Sequence, residues 1–394
     1  PKGGQPGWRT RSGIAIYDIK TGVMQPVTFG YHNFYLTDIT ADCRYALVAK
    51  SEERYTERPT SLLSYYRVDL ETMQTDTLID RDGFITEGMF SPDGKRVLIK
   101  GSPEAFNRIG CTLPPEVIPS MYDYQAYILD IPQRGRISTE ACKITPVTKY
   151  FDPSVEDMEW SLADGMIYFT AENRDSVSLY RLNPGDGSIA MLSLPEENVK
   201  GFSLASNAPV LALRGQSAMN SDRIYTAQLS RLKPKNGVMQ LPLLKCVDDL
   251  SEKTLKGIEI AQCNSWSFTN SNGDNVLCRY YLPVGFDALN SDKKYPMITY
   301  YYGGCSPTER AFESSYPWQI WASLGYAVLV VEPSGAAGFG QEWASRHVNT
   351  AGKDPARDII EAVKEFCNTH PFIDSKKIGC CGASYGGFMT QYLQ

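Results

Sequence analysis

A degenerate repeat runs through roughly the first 250 residues of this 394-residue chain. Its outer part is an aromatic-containing strand that closes on a polar residue: Ile16-Tyr17-Asp18-Ile19, Tyr66-Arg67-Val68-Asp69-Leu70, Tyr127-Ile128-Leu129-Asp130-Ile131, Tyr180-Arg181-Leu182-Asn183-Pro184 and Tyr225-Thr226-Ala227-Gln228-Leu229. With Asp18, Asp69, Asp130, Asn183 and Gln228 aligned, the intervals are 51, 61, 53 and 45 residues. Between these strands an apolar residue precedes Ser or Thr, a turn and an alternating run. It reads Ile39-Thr40-Ala41-Asp42, Phe90-Ser91-Pro92-Asp93-Gly94, Trp160-Ser161-Leu162-Ala163-Asp164-Gly165 and, more faintly, Phe202-Ser203. Asp-Gly between alternating runs is a hairpin signal, because the turn needs positive φ and glycine tolerates it. Two hairpins per period make a four-stranded unit, and its radial repetition is a β-propeller. Residues 1–255 therefore read as a propeller domain with about five recognisable blades, incomplete in this sequence because blades must close a ring. A plain β-sandwich with accidental turns is the alternative. The 24 tyrosines, against 15 Phe and 6 Trp, fit strand-rich structure.

From residue 256 the pattern changes. Trp266 to Thr269 and Val276 to Pro283 flank Asn272-Gly273-Asp274 as a further hairpin. Then come a strand over Met297 to Tyr302, a helix over Pro317 to Leu324, and a strand over Tyr326 to Val331. A longer helix spans Asp354 to Asn368 with Ile359, Ile360, Val363, Phe366 and Cys367 on one face, and Lys377 to Cys381 is a short strand. Alternating strand and helix imply a mainly parallel α/β sheet over residues 256–394.

The last strand runs into Gly382-Ala383-Ser384-Tyr385-Gly386-Gly387 and a helix start, Phe388 to Leu393. This is G-x-S-x-G in the context that gives it meaning: strand, tight turn, helix. A serine at the tip must hold strained backbone angles, and neighbours without side chains let strand and helix approach. Ser384 is the expected nucleophile, and the Tyr385 backbone N–H, at the helix start, the expected oxyanion donor. A second donor is expected from the loop Tyr300-Tyr301-Tyr302-Gly303-Gly304-Cys305-Ser306-Pro307, with the Tyr302 phenol in that role and Tyr301 in reserve. In this motif's usual chain order an acid and then a histidine follow the serine. Only ten residues follow Ser384 and none is acidic or histidine. The chain is therefore expected to be an α/β-hydrolase domain truncated after the elbow, inactive alone, its triad partners beyond Gln394. Of the three histidines, His32 and His347 have no assigned role and His370 reads as a helix cap or surface residue.

A net charge of −6 argues against a nucleic-acid surface, since counterion release needs clustered Lys and Arg. No apolar stretch is long enough to span a bilayer as a helix. The chain opens at Pro1 without a signal-like core, so any export signal is expected outside this sequence. The ten cysteines form no CxxC and no cluster with histidine, and read as reduced core thiols, with Cys263–Cys278 the one pairing considered. No HExxH or phosphate loop is present, so no cofactor or metal is expected. A periplasmic or secreted location is favoured over a cytoplasmic one, and a homodimer is left open.

The repeats, Tyr295-Pro296-Met297-Ile298, Tyr302-Gly303-Gly304, Pro333-Ser334-Gly335-Ala336-Ala337-Gly338-Phe339-Gly340, Asp354 to Val363 and Gly382 to Gly387 together resemble the prolyl oligopeptidase family of serine peptidases. Its dipeptidyl-peptidase and acylaminoacyl-peptidase branches are the most similar. The resemblance implies Ser384 as nucleophile, Tyr302 and the Tyr385 amide as the oxyanion hole, and cleavage of short peptides in a cavity between propeller and hydrolase. It also implies an Asp roughly 70 to 90 residues beyond Gln394 and a His some 30 later. Ser334 departs from the Arg that acylaminoacyl-type members tend to carry there. Dipeptidyl peptidases hold the substrate amine with a glutamate pair; Glu52-Glu53 and Glu196-Glu197 are the adjacent pairs here, and each reads instead as an exposed charged loop. An esterase, and a non-catalytic propeller that only binds ligands, are the competing functions.

Overall fold

The computed structural model describes residues 11–133, 137–252, 254–287, 293–350 and 352–394. They form two compact units, one made of the described residues up to 112 with 124–150, the other of 113–123 with 151–394.

In the first unit a hairpin, β1 (Ala15–Tyr17) and β2 (Met24–Pro26), precedes two antiparallel meanders. One is β3 (Asn33–Ile39), β4 (Tyr45–Glu53), β5 (Ser61–Asp69) and β6 (Thr75–Asp82). The other is β7 (Ile85–Phe90), β8 (Arg96–Gly101), a one-turn segment α1 (Ala105–Arg108), β9 (Gln125–Asp130) and β10 (Lys143–Pro146). Leu47, Tyr65, Leu78, Val97, Ile99, Tyr127 and Leu129 form the core shared by the two sheets.

The second unit opens with the meander β11 (Ser154–Trp160), β12 (Ile167–Asn173), β13 (Ser176–Leu182) and β14 (Ile189–Leu192). Next come β15 (Asn198–Leu204), β16 (Val210–Ser217) and β17 (Asn220–Gln228). A small hairpin, β18 (Lys233–Lys235) and β19 (Val238–Gln240), runs alongside β14 before β20 (Lys245–Asp249) returns to pair with β17. Among the described residues the period seen in the sequence is thus four four-stranded antiparallel units, the first of the five copies, at Tyr17 and Asp18, lying in the two-stranded β1–β2 hairpin.

Chemistry at the turns explains the recurring residues. Thr40 and Ser91 end β3 and β7 and do the same work. Each hydroxyl donates to an aspartate two residues on, at 2.6 Å in both cases, and accepts the N–H that opens the next strand, at 2.9 Å. The polar residue after the aromatic strand is an Asx turn: Asp18 Oδ1 accepts the N–H groups of Lys20 and Thr21, and Asp69 Oδ1 those of Glu71 and Thr72. One expectation needs correction. The aromatic strand is not an outer one in the complete sheets: β5, β9, β13 and β17 are each third of four and paired on both sides. Interior position is why the repeat residues Tyr127, Tyr180 and Tyr225 are buried, Tyr66 only partly so.

A five-stranded mixed sheet follows, in the order β21 (Cys263–Thr269), β22 (Asn275–Tyr281), β24 (Ala327–Glu332), β23 (Tyr295–Tyr300), β25 (Ile373–Cys381). β23 runs parallel to both β24 and β25. Helix α2 (Trp318–Ser323) packs with Tyr281, Tyr300, Val328 and Val330 on one face of the sheet. Helix α4 (Lys353–Thr369) packs with Val276, Met297, Leu329 and Val331 on the other, and a short helix α3 (Gln341–Ser345) lies between them in sequence. Covered on both faces, β24 is buried at every residue, which is why it reads as an apolar run as far as Val331. Of the expected α4 face, Ile359, Val363, Phe366 and Cys367 pack on the core while Ile360 is exposed, and Ala356, Ala362 and Asp358 are buried as well.

Candidate active site

β25 leads into the elbow and helix α5 (Tyr385–Tyr392). Ser384, the residue before the helix, has φ 54° and ψ −123° and is exposed. An L-residue at such angles stores strain of order 1–3 kcal/mol and persists only where its surroundings fix it. The glycines do the fixing. A Cβ on Gly382 would lie 2.5 Å from the carbonyl carbon and oxygen of Gly386, and one on Gly386 would lie 3.1 Å from the Tyr301 carbonyl. Tyr385 opens α5, so its N–H has no acceptor within the helix.

Register brings the second loop to the same end of the sheet. Tyr300 of β23 pairs with Cys381 of β25, so the chain leaves both parallel strands side by side at their carboxyl ends. Tyr302 is half-buried, its ring centroid 6.2 Å from that of Tyr385. Gly303 (φ +72°) presses on Met389 of α5, where a Cβ would sit 2.7 Å from Cγ. A Cβ on Gly304 would be 2.8 Å from the Tyr302 ring and 3.1 Å from the Tyr385 ring. Tyr302 is thus brought against Tyr385, the residue after Ser384. Tyr301 is not: it is fully buried, its hydroxyl 3.3 Å from Thr390 Oγ1, and burial raises its pKa.

Among the described residues no histidine or carboxylate is hydrogen-bonded to Ser384. His347 packs edge-on against Tyr385 at 4.9 Å between centroids, and burial lowers its pKa. His370 caps α4, its Nδ1 3.1 Å from the Phe366 carbonyl, and stacks on the Phe366 ring at 3.8 Å. All ten cysteines are free, and Cys263 sits opposite Tyr281 rather than Cys278.

The glutamate pairs differ from expectation. Glu52 lies in β4, paired with Lys50 at 2.5 Å and Arg81 at 3.6 Å, and only Glu53 is exposed. Glu196 is buried, accepting hydrogen bonds from Tyr225 Oη at 2.5 Å and Asn220 Nδ2 at 2.7 Å. Glu197 accepts the Ala218 N–H at 2.9 Å and lies 3.4 Å from Arg310. Both border a cavity of about 1020 Å³ whose walls include Asp152, Arg174, Asp175 and Trp343. Their partners come from other strands, so adjacency in sequence gave no hint of burial. Asp358 was missed for the same reason. It accepts Ser334 N–H at 2.9 Å, Ser334 Oγ–H at 2.6 Å and Asn270 Nδ2–H at 2.8 Å, and so ties the Ser334-Gly335 loop to α4; no arginine is needed at position 334.

Residues 312–394 match the family model described as the prolyl oligopeptidase family. Dipeptidyl-peptidase 5 of Porphyromonas gingivalis is 30% identical over 253 residues, which are 64% of this chain and 34% of that protein. The match thus spans about a third of that relative's length. The crystal structure of P. gingivalis dipeptidyl peptidase 4 superposes with a TM-score of 0.64 at 15% identity, covering 98% of this chain and 63% of that one. Pyrococcus horikoshii acylaminoacyl peptidase gives 0.53 at 16% identity, covering 96% and 70%. At these identities the structural likeness concerns the fold. The strand–serine–helix turn thus lies inside the segment that matches the prolyl oligopeptidase family model, and the fold is shared along almost the whole chain.

Proposed function

We propose that this chain is part of a serine peptidase that hydrolyses short peptides through an acyl-enzyme, in the manner of a dipeptidyl- or oligopeptidase. Residues 1–255 form the propeller that limits substrate size, and residues 256–394 form the first part of the hydrolase domain. The observation that supports the reading best is the exposed Ser384 at φ 54°, in a bend only glycine neighbours allow. Ser384 Oγ attacks the peptide carbonyl as its proton passes to a histidine supplied, with its aspartate, by sequence after Gln394. The tetrahedral oxyanion accepts hydrogen bonds from the Tyr302 phenol and the Tyr385 N–H. Collapse expels the amine, which takes the proton, and water releases the acyl group by the same steps. The named relatives support a dipeptidyl-peptidase preference.

The test is fluorophosphonate labelling of the full-length protein, with hydrolysis of dipeptidyl-, acyl-peptidyl- and simple ester substrates measured in parallel. Labelling abolished in Ser384→Ala, together with faster turnover of dipeptidyl amides, is expected. Esters alone being cleaved would give the esterase reading; absence of labelling would leave a binding protein.

A further inference from the structure

Arg279 of β22 has no exposed surface, and a guanidinium so buried is tolerated only with charge and hydrogen-bond partners. Its partners lie on one loop and two carboxylates. Nη1 donates to the Thr308 carbonyl at 2.7 Å and Nη2 to the Glu309 carbonyl at 2.7 Å. Glu332 Oε1 and Asp175 Oδ2 lie 3.3 and 3.4 Å from Nη1. Glu332 Oε2 accepts the Thr308 N–H at 2.9 Å. One buried ion cluster therefore holds three main-chain groups of a single dipeptide. Asp175 extends it, accepting Arg310 Nε–H at 2.7 Å and, through its carbonyl, the Arg310 backbone N–H at 2.9 Å.

That dipeptide belongs to the loop that begins at Tyr302. Tyr302, Thr308 and Glu309 border one small cavity of about 290 Å³, together with Tyr300 and Trp318. The Arg279 guanidinium lies over the Trp318 ring at 5.6 Å, and Trp318 packs edge-on against Tyr300 at 5.0 Å. Arg279 thus backs the wall of the Tyr302 cavity at two places: the Thr308-Glu309 backbone and the Trp318–Tyr300 pair. The Ala337 N–H ties the loop's middle through the Cys305 carbonyl at 2.9 Å.

We propose that Arg279 is a positioning residue for the oxyanion loop, fixing Thr308 and Glu309 so that the Tyr302 phenol is held at its station beside Ser384. The proposal rests on Tyr302 being an oxyanion donor. The planar fork is essential to it, because two divergent carbonyls are served at once, and a lysine ammonium keeps the charge but loses the fork.

In the full-length protein, kcat and KM on a fluorogenic dipeptide are compared for wild type, Arg279→Lys, Tyr302→Phe and the double variant. Rates are taken per fluorophosphonate-titrated site, well below each melting temperature. Arg279→Lys is expected to lower kcat roughly 10- to 100-fold with KM nearly unchanged, the penalty of a donor displaced by a fraction of an ångström. In the Tyr302→Phe background the same change should have no further effect. An unchanged kcat, or a loss that adds fully to that of Tyr302→Phe, overturns the proposal. If Arg279→Lys does not fold, Glu332→Gln takes its place, with a smaller loss that again vanishes without the phenol; no loss refutes it equally. A fully active Tyr302→Phe instead refutes the oxyanion assignment, and this proposal with it.

Discussion

Gly382→Ala isolates the physical basis of the elbow. The added Cβ would sit 2.5 Å from the carbonyl carbon and oxygen of Gly386 and 2.9 Å from its Cα. These are backbone atoms of α5, so no side chain can swing aside. Relief to an ordinary contact of about 3.4 Å moves strand and helix start apart by roughly 0.9 Å, a misplacement of the order that costs 10²-fold in rate. Overpacking should also cost about 1–3 kcal/mol of stability. The assay is the second-order rate of Ser384 labelling by a fluorophosphonate in the full-length protein, beside thermal melting. Gly379→Ala is the control. It lies in the same strand, its φ is not positive, and its added Cβ meets nothing within 4 Å, so labelling and melting should be unchanged. Equal labelling rates for the two variants would refute the argument that backbone crowding holds Ser384 in place.

Tyr302→Phe should lower kcat by roughly 10²–10³ while melting stays at the wild-type value, as expected for loss of one oxyanion donor; retained turnover removes the role. Asp358→Asn turns one acceptor oxygen into a donor facing groups that already donate, and should cost about 2–4 kcal/mol in urea unfolding. Glu172 is pushed up to about 9, first by burial and then by Glu156, Glu309, Asp123 and Glu332. Its folded-state pKa lies above the unfolded one, so its contribution is complete below about pH 4.5 and is lost as pH rises towards 9. Melting temperature should therefore fall with rising pH across that window. Glu172→Gln should flatten the slope, recovering on the order of 1.4 kcal/mol or more at alkaline pH, the equivalent of one pKa unit; an unchanged slope refutes the assignment.

Much of the architecture was legible because it rests on local rules. Asp93-Gly94 and Asp164-Gly165 mark hairpins, Thr40 and Ser91 mark strand ends, and the apolar run at 327–331 marks a strand covered on both faces. The α4 face holds for Ile359, Val363, Phe366 and Cys367 but not for Ile360, and Asp358, a charge, takes an inward place that apolar periodicity assigns to a hydrophobe. Glu196 was misjudged likewise: an adjacent acidic pair looks solvated until Tyr225 and Asn220 arrive from β17.

The sequence by itself determined the four-strand repeat, the α/β alternation and the strained serine turn, since each is encoded within a few neighbouring residues through turn chemistry, side-chain period and the steric allowance of glycine. Only the tertiary structure decided which strand of each repeat is interior, which of three consecutive tyrosines faces Tyr385, and how Arg279, Asp175 and Glu332 meet around Thr308. Those outcomes depend on strand register and on charge partners more than a hundred residues apart, and a buried charge is recognisable only once the groups that neutralise it are in place.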